Sequence, residues 1–114
     1  MNLKVDVAEE NEKSIVSLIG EIDAYTAPQL KESLLPLTRI DSQLIEVDLE
    51  DVNYMDSTGL GVFISALKST KENNSHLKLV NLQERVLRLF KITGLDEIID
   101  ITTAIRGGNQ NGQI

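Results

Sequence analysis

Three times along this chain a β-branched or alternating apolar segment gives way to a helical repeat, and that change of period restricts the fold more than any other feature. "SIVSLIGEI" precedes Ala27, Leu30, Leu34 and Leu37 at helical spacing; "QLIEVDLEDV" sets Ile45, Val47 and Leu49 against Glu46 and Asp48 and precedes Leu60, Phe63, Ile64 and Leu67; "HLKLVN" precedes Val86, Leu87 and Phe90. Repeated strand-then-helix units call for parallel pairing with right-handed crossovers. Ahead of them "NLKVDV" alternates with Leu3, Val5 and Val7 on one side, and the polar "AEENEK" makes a hairpin of it with the next strand. A last strand is expected at "EIIDI". The predicted order is β, β, α, β, α, β, α, β: a small single-domain α/β fold, with a mixed, mainly parallel sheet and helices packed against it.

Local signals punctuate that order. Thr26 with Pro28 in the following turn marks a helix start, Pro36 should kink or shorten that helix near its end, and Asn81 is expected to cap the third helix. Gly94, followed by Leu95 as a hydrophobic contact, reads as a helix stop. The polar "RGGNQNGQI" reads as a frayed tail, so that a domain over residues 1–105 and a flexible segment over 106–114 are expected. A chain of 114 residues suits one domain, long enough to bury about two-thirds of its unfolded surface.

Charge and composition narrow the function. The net charge is −7, with no Lys/Arg cluster to follow a phosphate backbone, which argues against direct contact with nucleic acid. Neither a secretory leader nor a membrane-spanning stretch is expected, and the chain fits a soluble cytoplasmic protein. With no cysteine there is no disulfide, thiol chemistry or thiolate metal site.

The most informative stretch is "VNYMDSTGLGVFISAL", which places an acid, two hydroxyls and two glycines at the mouth of the second helix and then no charge until Lys68. Asp56 or Ser57 could simply cap the helix. If positions 60, 63, 64 and 67 face the core, however, then Thr58, Gly61, Val62 and Ser65 lie outward, all small or uncharged. A glycine inside a helix costs about 1 kcal/mol relative to alanine, so Gly61 is better explained by close approach of another backbone. That backbone belongs either to a partner docked from Ser57 to Ser65 or to the same domain. A phosphate on Ser57 would bring about −1.5 to −2 charges to a helix N-terminus, which suits them. A partner already packed there would be repelled. The site is suited to be a switch.

Enzymatic readings fit less well. "DSTGLG" lacks the lysine of a P-loop and the third glycine of a dinucleotide fingerprint. His76 is the only histidine and no G-x-S-x-G elbow surrounds Ser57, so neither a serine hydrolase nor a metal site built on Glu50, Asp51 and Asp56 is expected. A phospho-aspartate receiver would need an acidic cluster where Asp6 stands alone, and a late lysine at a strand's end that "KLVN" does not supply.

Through "GEIDAYTAP", "VDLEDVNYMDSTGLGVF" and "LVNL", the chain resembles the anti-sigma factor antagonists of the STAS domain family, above all those of Gram-positive stress signalling, over Leu3 to about Ile105. The resemblance implies partner switching. The unmodified antagonist binds an anti-sigma factor that is also a serine kinase and so frees the sigma factor; the kinase uses ATP to phosphorylate the antagonist, and a serine phosphatase reverses this. Carried over by position, Ser57 is the phosphoacceptor, Asp56, Thr58, Gly59 and Gly61 surround it, and Asp23 faces the kinase from the neighbouring loop. With Val62 and Ser65 from the outward face, these form the expected contact surface. The antagonist is then a substrate, with no catalytic residue, metal or cofactor of its own, and a monomer when free. A STAS scaffold or nucleotide-binding module with an incidental serine is the alternative.

Overall fold

A computed structural model describes residues 2–102. The expected tail, 106–114, lies outside the described residues. The hairpin β1 (Leu3–Glu10) and β2 (Lys13–Ile22) leads to α1 (Ala27–Thr38), β3 (Leu44–Met55), α2 (Ser57–Asn73), β4 (His76–Val80), α3 (Glu84–Thr93), a single 3-10 turn (Leu95–Glu97) and β5 (Asp100–Thr102). The five strands stand in sequence order, antiparallel between β1 and β2 and parallel thereafter. This is the mixed, mainly parallel sheet expected from the alternation of periods.

One apolar cluster joins the sheet to all three helices: Val16, Leu18, Val47, Leu49, Leu77 and Leu79 from the strands meet Leu30 and Leu34 of α1, Phe63 of α2 and Phe90 of α3. The two phenylalanine rings lie 6.1 Å apart, inclined at 56°, within the range in which tilted aromatic pairs attract. On the other face of the strands, half-exposed side chains alternate in charge: Lys13 pairs with Glu46 at 3.3 Å, and Glu46, Lys78 and Asp100 follow one another across neighbouring strands.

Several boundaries differ from the sequence reading. Glu10 pairs with Lys13, leaving a two-residue turn in which Glu12 takes φ 56°. Asn81 does not cap α3: it sits in the left-handed region at φ 61°, donates its side-chain N–H to Asp48 Oδ1 at 3.2 Å and its backbone N–H to Thr102 O at 3.0 Å, while Gln83 occupies the N-cap. Its role is to tie β3, β4 and β5 together. Thr26 does precede α1, but its hydroxyl makes no helix cap and is committed elsewhere. Pro36 stands inside the last turn of α1, which continues to Thr38. Gly94 ends α3 in a left-handed conformation as expected, with Leu95 buried behind it. "EIIDI" yields only a three-residue strand, because Glu97 belongs to the 3-10 turn.

A candidate docking edge around Ser57

The sheet ladder assembles the site. Ile22 at the end of β2 pairs with Met55 at the end of β3, so Asp23 and Asp56 leave the sheet side by side, and the Asp56 N–H donates to Ile22 O at 3.2 Å. Asp56 is extended, accepts the Thr58 N–H on Oδ1 at 2.9 Å and accepts the Leu60 N–H on its carbonyl at 3.2 Å. It is therefore the cap of α2. Since Asp56 caps the helix, Ser57 is released from that duty: it is exposed, and its hydroxyl has no partner among the described residues. Thr58, also exposed, stands beside it.

The two glycines have different roles. Gly59 is buried, and a Cβ there would lie 2.7 Å from Met55 Cγ and 2.8 Å from Ile22 Cγ2. It is a packing glycine that seats the start of α2 on the two strand ends, so its expected place in the contact surface is corrected. Gly61 is exposed, and an added Cβ would meet nothing within 4 Å among the described residues. Among the described residues, then, nothing of its own domain packs against Gly61, which leaves an open notch on the ridge.

Val62 is also corrected. It was expected outward but is only 6 % exposed, whereas Ile64 and Leu67 of the expected inner stripe are half-buried. The helix has two buried flanks, since α1 packs alongside it as well as the sheet beneath. Val62 lies in a shallow groove of about 300 Å³ between α1 and α2, with Ala27, Pro28 and Lys31 along one wall and Thr58, Gly61 and the half-buried Ser65 along the other.

Asp23 is 8 % exposed and its carboxylate is spent on its own loop. Oδ1 accepts the backbone N–H of Tyr25 at 2.9 Å and of Thr26 at 3.0 Å, and the Thr26 hydroxyl lies 3.3 Å away. That hydroxyl in turn accepts the Asp23 N–H at 2.9 Å and donates to Glu21 O at 2.8 Å. The geometry makes Asp23 an organiser of the loop rather than a free contact. Burial opposes its ionisation, but the N–H groups of Thr26 and Tyr25 and the Thr26 hydroxyl outweigh burial and hold its carboxyl below the ordinary carboxylate range. A carboxyl with a depressed folded-state pKa stabilises the fold above its unfolded value, and this contribution disappears as pH falls through the folded value. Asp23→Asn is accordingly expected to be less stable than wild type at pH 7, with the difference shrinking below about pH 4. Urea unfolding at pH 7 and pH 3 checks this, and an equal difference at both would contradict it.

His76 begins β4, whereas Ser57 follows the end of β3, so the parallel sheet puts them at opposite edges. The imidazole Nε2 instead lies 2.9 Å from Asp100 Oδ2 on the next strand. No cluster of three or more His, Asp or Glu side chains suited to a metal occurs among the described residues, nor does any helix there have the length and apolarity to cross a membrane. One residue escaped the sequence reading altogether: Tyr25, at the tip of the Asp23 loop, is 87 % exposed. Its only sequence signal was an aromatic inside a turn.

Residues 4–107 match the STAS domain family. The chain is 50 % identical over 110 residues to the anti-sigma-B factor antagonist of Bacillus subtilis, covering 96 % of this chain and 100 % of that protein. It is 44 % identical over 113 residues to the anti-sigma-B factor antagonist of Listeria monocytogenes, covering 98 % and 97 %. The fold is shared with the crystal structure of an anti-sigma factor antagonist from Mycobacterium paratuberculosis, with a TM-score of 0.81 at 23 % identity over 90 % of this chain and 87 % of that one. With the match covering nearly all of the strands and helices described above, the chain belongs to the STAS domain family.

Proposed function

We propose that this protein is an anti-sigma factor antagonist controlled at Ser57. In its unmodified form it binds an anti-sigma factor that is also a serine kinase, frees the sigma factor and so activates stress-response transcription. Phosphorylation of Ser57 by that kinase ends binding, and a serine phosphatase restores it. The protein acts in the cytoplasm as a monomeric binding module and as the kinase's substrate, without touching nucleic acid or membrane. The observation that carries this reading is the exposed Ser57 hydroxyl, unpartnered among the described residues, at the start of an uncharged ridge whose helix is already capped by Asp56. The relatives named as antagonists support it. Incubation with the kinase and ATP, followed by mass spectrometry, should find one phosphate on the Ser57 peptide; an unmodified peptide would favour an incidental serine in a scaffold or nucleotide-binding module.

The notch at Gly61 offers an independent test. Because a Cβ there meets nothing within 4 Å among the described residues, Gly61→Ala should raise helix stability by up to about 1 kcal/mol. Gly61→Leu should also fold, yet bind the anti-sigma factor at least about tenfold more weakly, since a bulky side chain holds a docked backbone away. Thermal melts paired with titration calorimetry separate the two effects. Unchanged affinity in Gly61→Leu would remove the ridge from the interface.

A further inference from the structure

The hydrogen bonds of the Asp23 loop lead into α1 at the buried Ala27, but they also order residues that bury nothing. Five of them, the four made with the Asp23 carboxylate and the Thr26 hydroxyl at 2.8–3.0 Å and the Ala27 N–H to Asp23 O at 2.8 Å, order a turn whose two central residues, Ala24 and Tyr25, are both exposed. Part of this network seats the buried Thr26 and Ala27 at the start of α1, and part of it holds exposed residues. The second part fixes the backbone from which Tyr25 projects, and Tyr25 at 87 % is the most exposed of the large hydrophobic side chains among the described residues. Its chain neighbour Ala24 lines the α1–α2 groove, and the loop that carries it leaves the same sheet edge as Ser57 through the Ile22–Met55 pair. Tyrosine is among the residues that most often dominate binding energy, because it offers a large rigid surface with few torsions to freeze.

We propose that Tyr25 is an apolar anchor for the protein that docks on this edge, inserting its ring into a pocket of the anti-sigma factor while the Gly61 ridge lies flat against the same surface. This rests on the docking reading above and adds to it a second point of attachment, one that phosphorylation does not touch. A rigid turn lowers the ordering cost of binding at that point. Asp23 is then a positioning residue, acting through the backbone of Tyr25 without contact of its own.

Binding to the purified anti-sigma factor of the same organism tests the anchor, using the unphosphorylated full chain and the variants Tyr25→Ala, Tyr25→Phe and Ile92→Ala. Ile92 is the control: it is 75 % exposed on α3, whose C-terminal end points to the opposite edge of the sheet. Tyr25→Ala should bind at least about tenfold more weakly with an unchanged melting temperature, Tyr25→Phe should stay within about threefold of wild type, and Ile92→Ala should equal wild type. Equal binding by Tyr25→Ala and wild type would overturn the anchor and leave the Ser57 reading intact. Equal losses in Tyr25→Ala and Ile92→Ala would overturn it too, by pointing to unspecific apolar adhesion. Failure of the wild type itself to bind would overturn the docking reading on which the anchor depends.

Discussion

Phosphorylated at Ser57, the protein is expected to bind its anti-sigma factor about a thousandfold more weakly while retaining its fold. The two halves of that expectation have separate causes. In the free protein the phosphate sits at the first turn of α2, where the backbone N–H groups not used by Asp56 and the positive end of the helix favour it. Ser57 is exposed, so nothing in the domain is displaced. In the complex the same dianion is taken out of water next to Asp56, which already directs its own charge into the cap. An unmatched buried charge costs several kcal/mol, and about 4 kcal/mol corresponds to three decades of affinity. Ser57→Asp, with a single charge on a shorter arm, should lose about a hundredfold, and Ser57→Ala should bind like the unmodified protein. Calorimetric titration of the three forms, with circular dichroism to verify folding, measures this. Equal affinities would exclude the electrostatic switch.

The largest expected effect on the fold itself is at Gly20. Its φ of 126° lies where side chains are hardly tolerated, and a Cβ would stand 2.3 Å from the carbonyl oxygen of Asn2, a backbone atom that cannot rotate away. Gly20→Ala must therefore twist β2 or push β1 off its edge. With backbone strain of this kind costing about 1–3 kcal/mol and the displaced pairing added to it, a loss of about 3 kcal/mol is expected. That is a large part of the stability of an ordinary domain. Chemical unfolding of the variant, with hydrogen exchange read on β1, checks both size and place; a loss below about 1 kcal/mol would mean that the hairpin adapts freely.

Much of this was legible before any coordinates. The changes of period located three strands and all three helices, because each of those elements buries one face, whereas β1 was read from its alternation although Val7 is exposed, and β5 is a three-residue strand with no buried face. Gly94 was readable as a stop because its reason is local. What the sequence did not convey came from neighbours in space. Val62 is buried because α1 lies along α2, a flank that helical periodicity against a single sheet cannot foresee. The isolation of Asp23 from solvent arises from a turn closed by Thr26, and Gly59 touches Met55 and Ile22 only after two strands have paired. Asn81 looks like a cap in one dimension, yet its side chain belongs to Asp48 on another strand. Ser57 itself was legible as a candidate. What required the structure was knowing that Asp56 does the capping.

The Ile22–Met55 pair has a consequence for how such a protein can change. Because successive strand residues face opposite sides of a sheet, inserting or deleting one residue near the end of β3 would carry the serine to the wrong side, or tear α2 from its glycine seat. The serine's reach is thus dictated by chain length as much as by chemistry. A variant of this kind could conserve every hydrophobic side chain, still fold, and no longer present the serine at the edge beside Asp23.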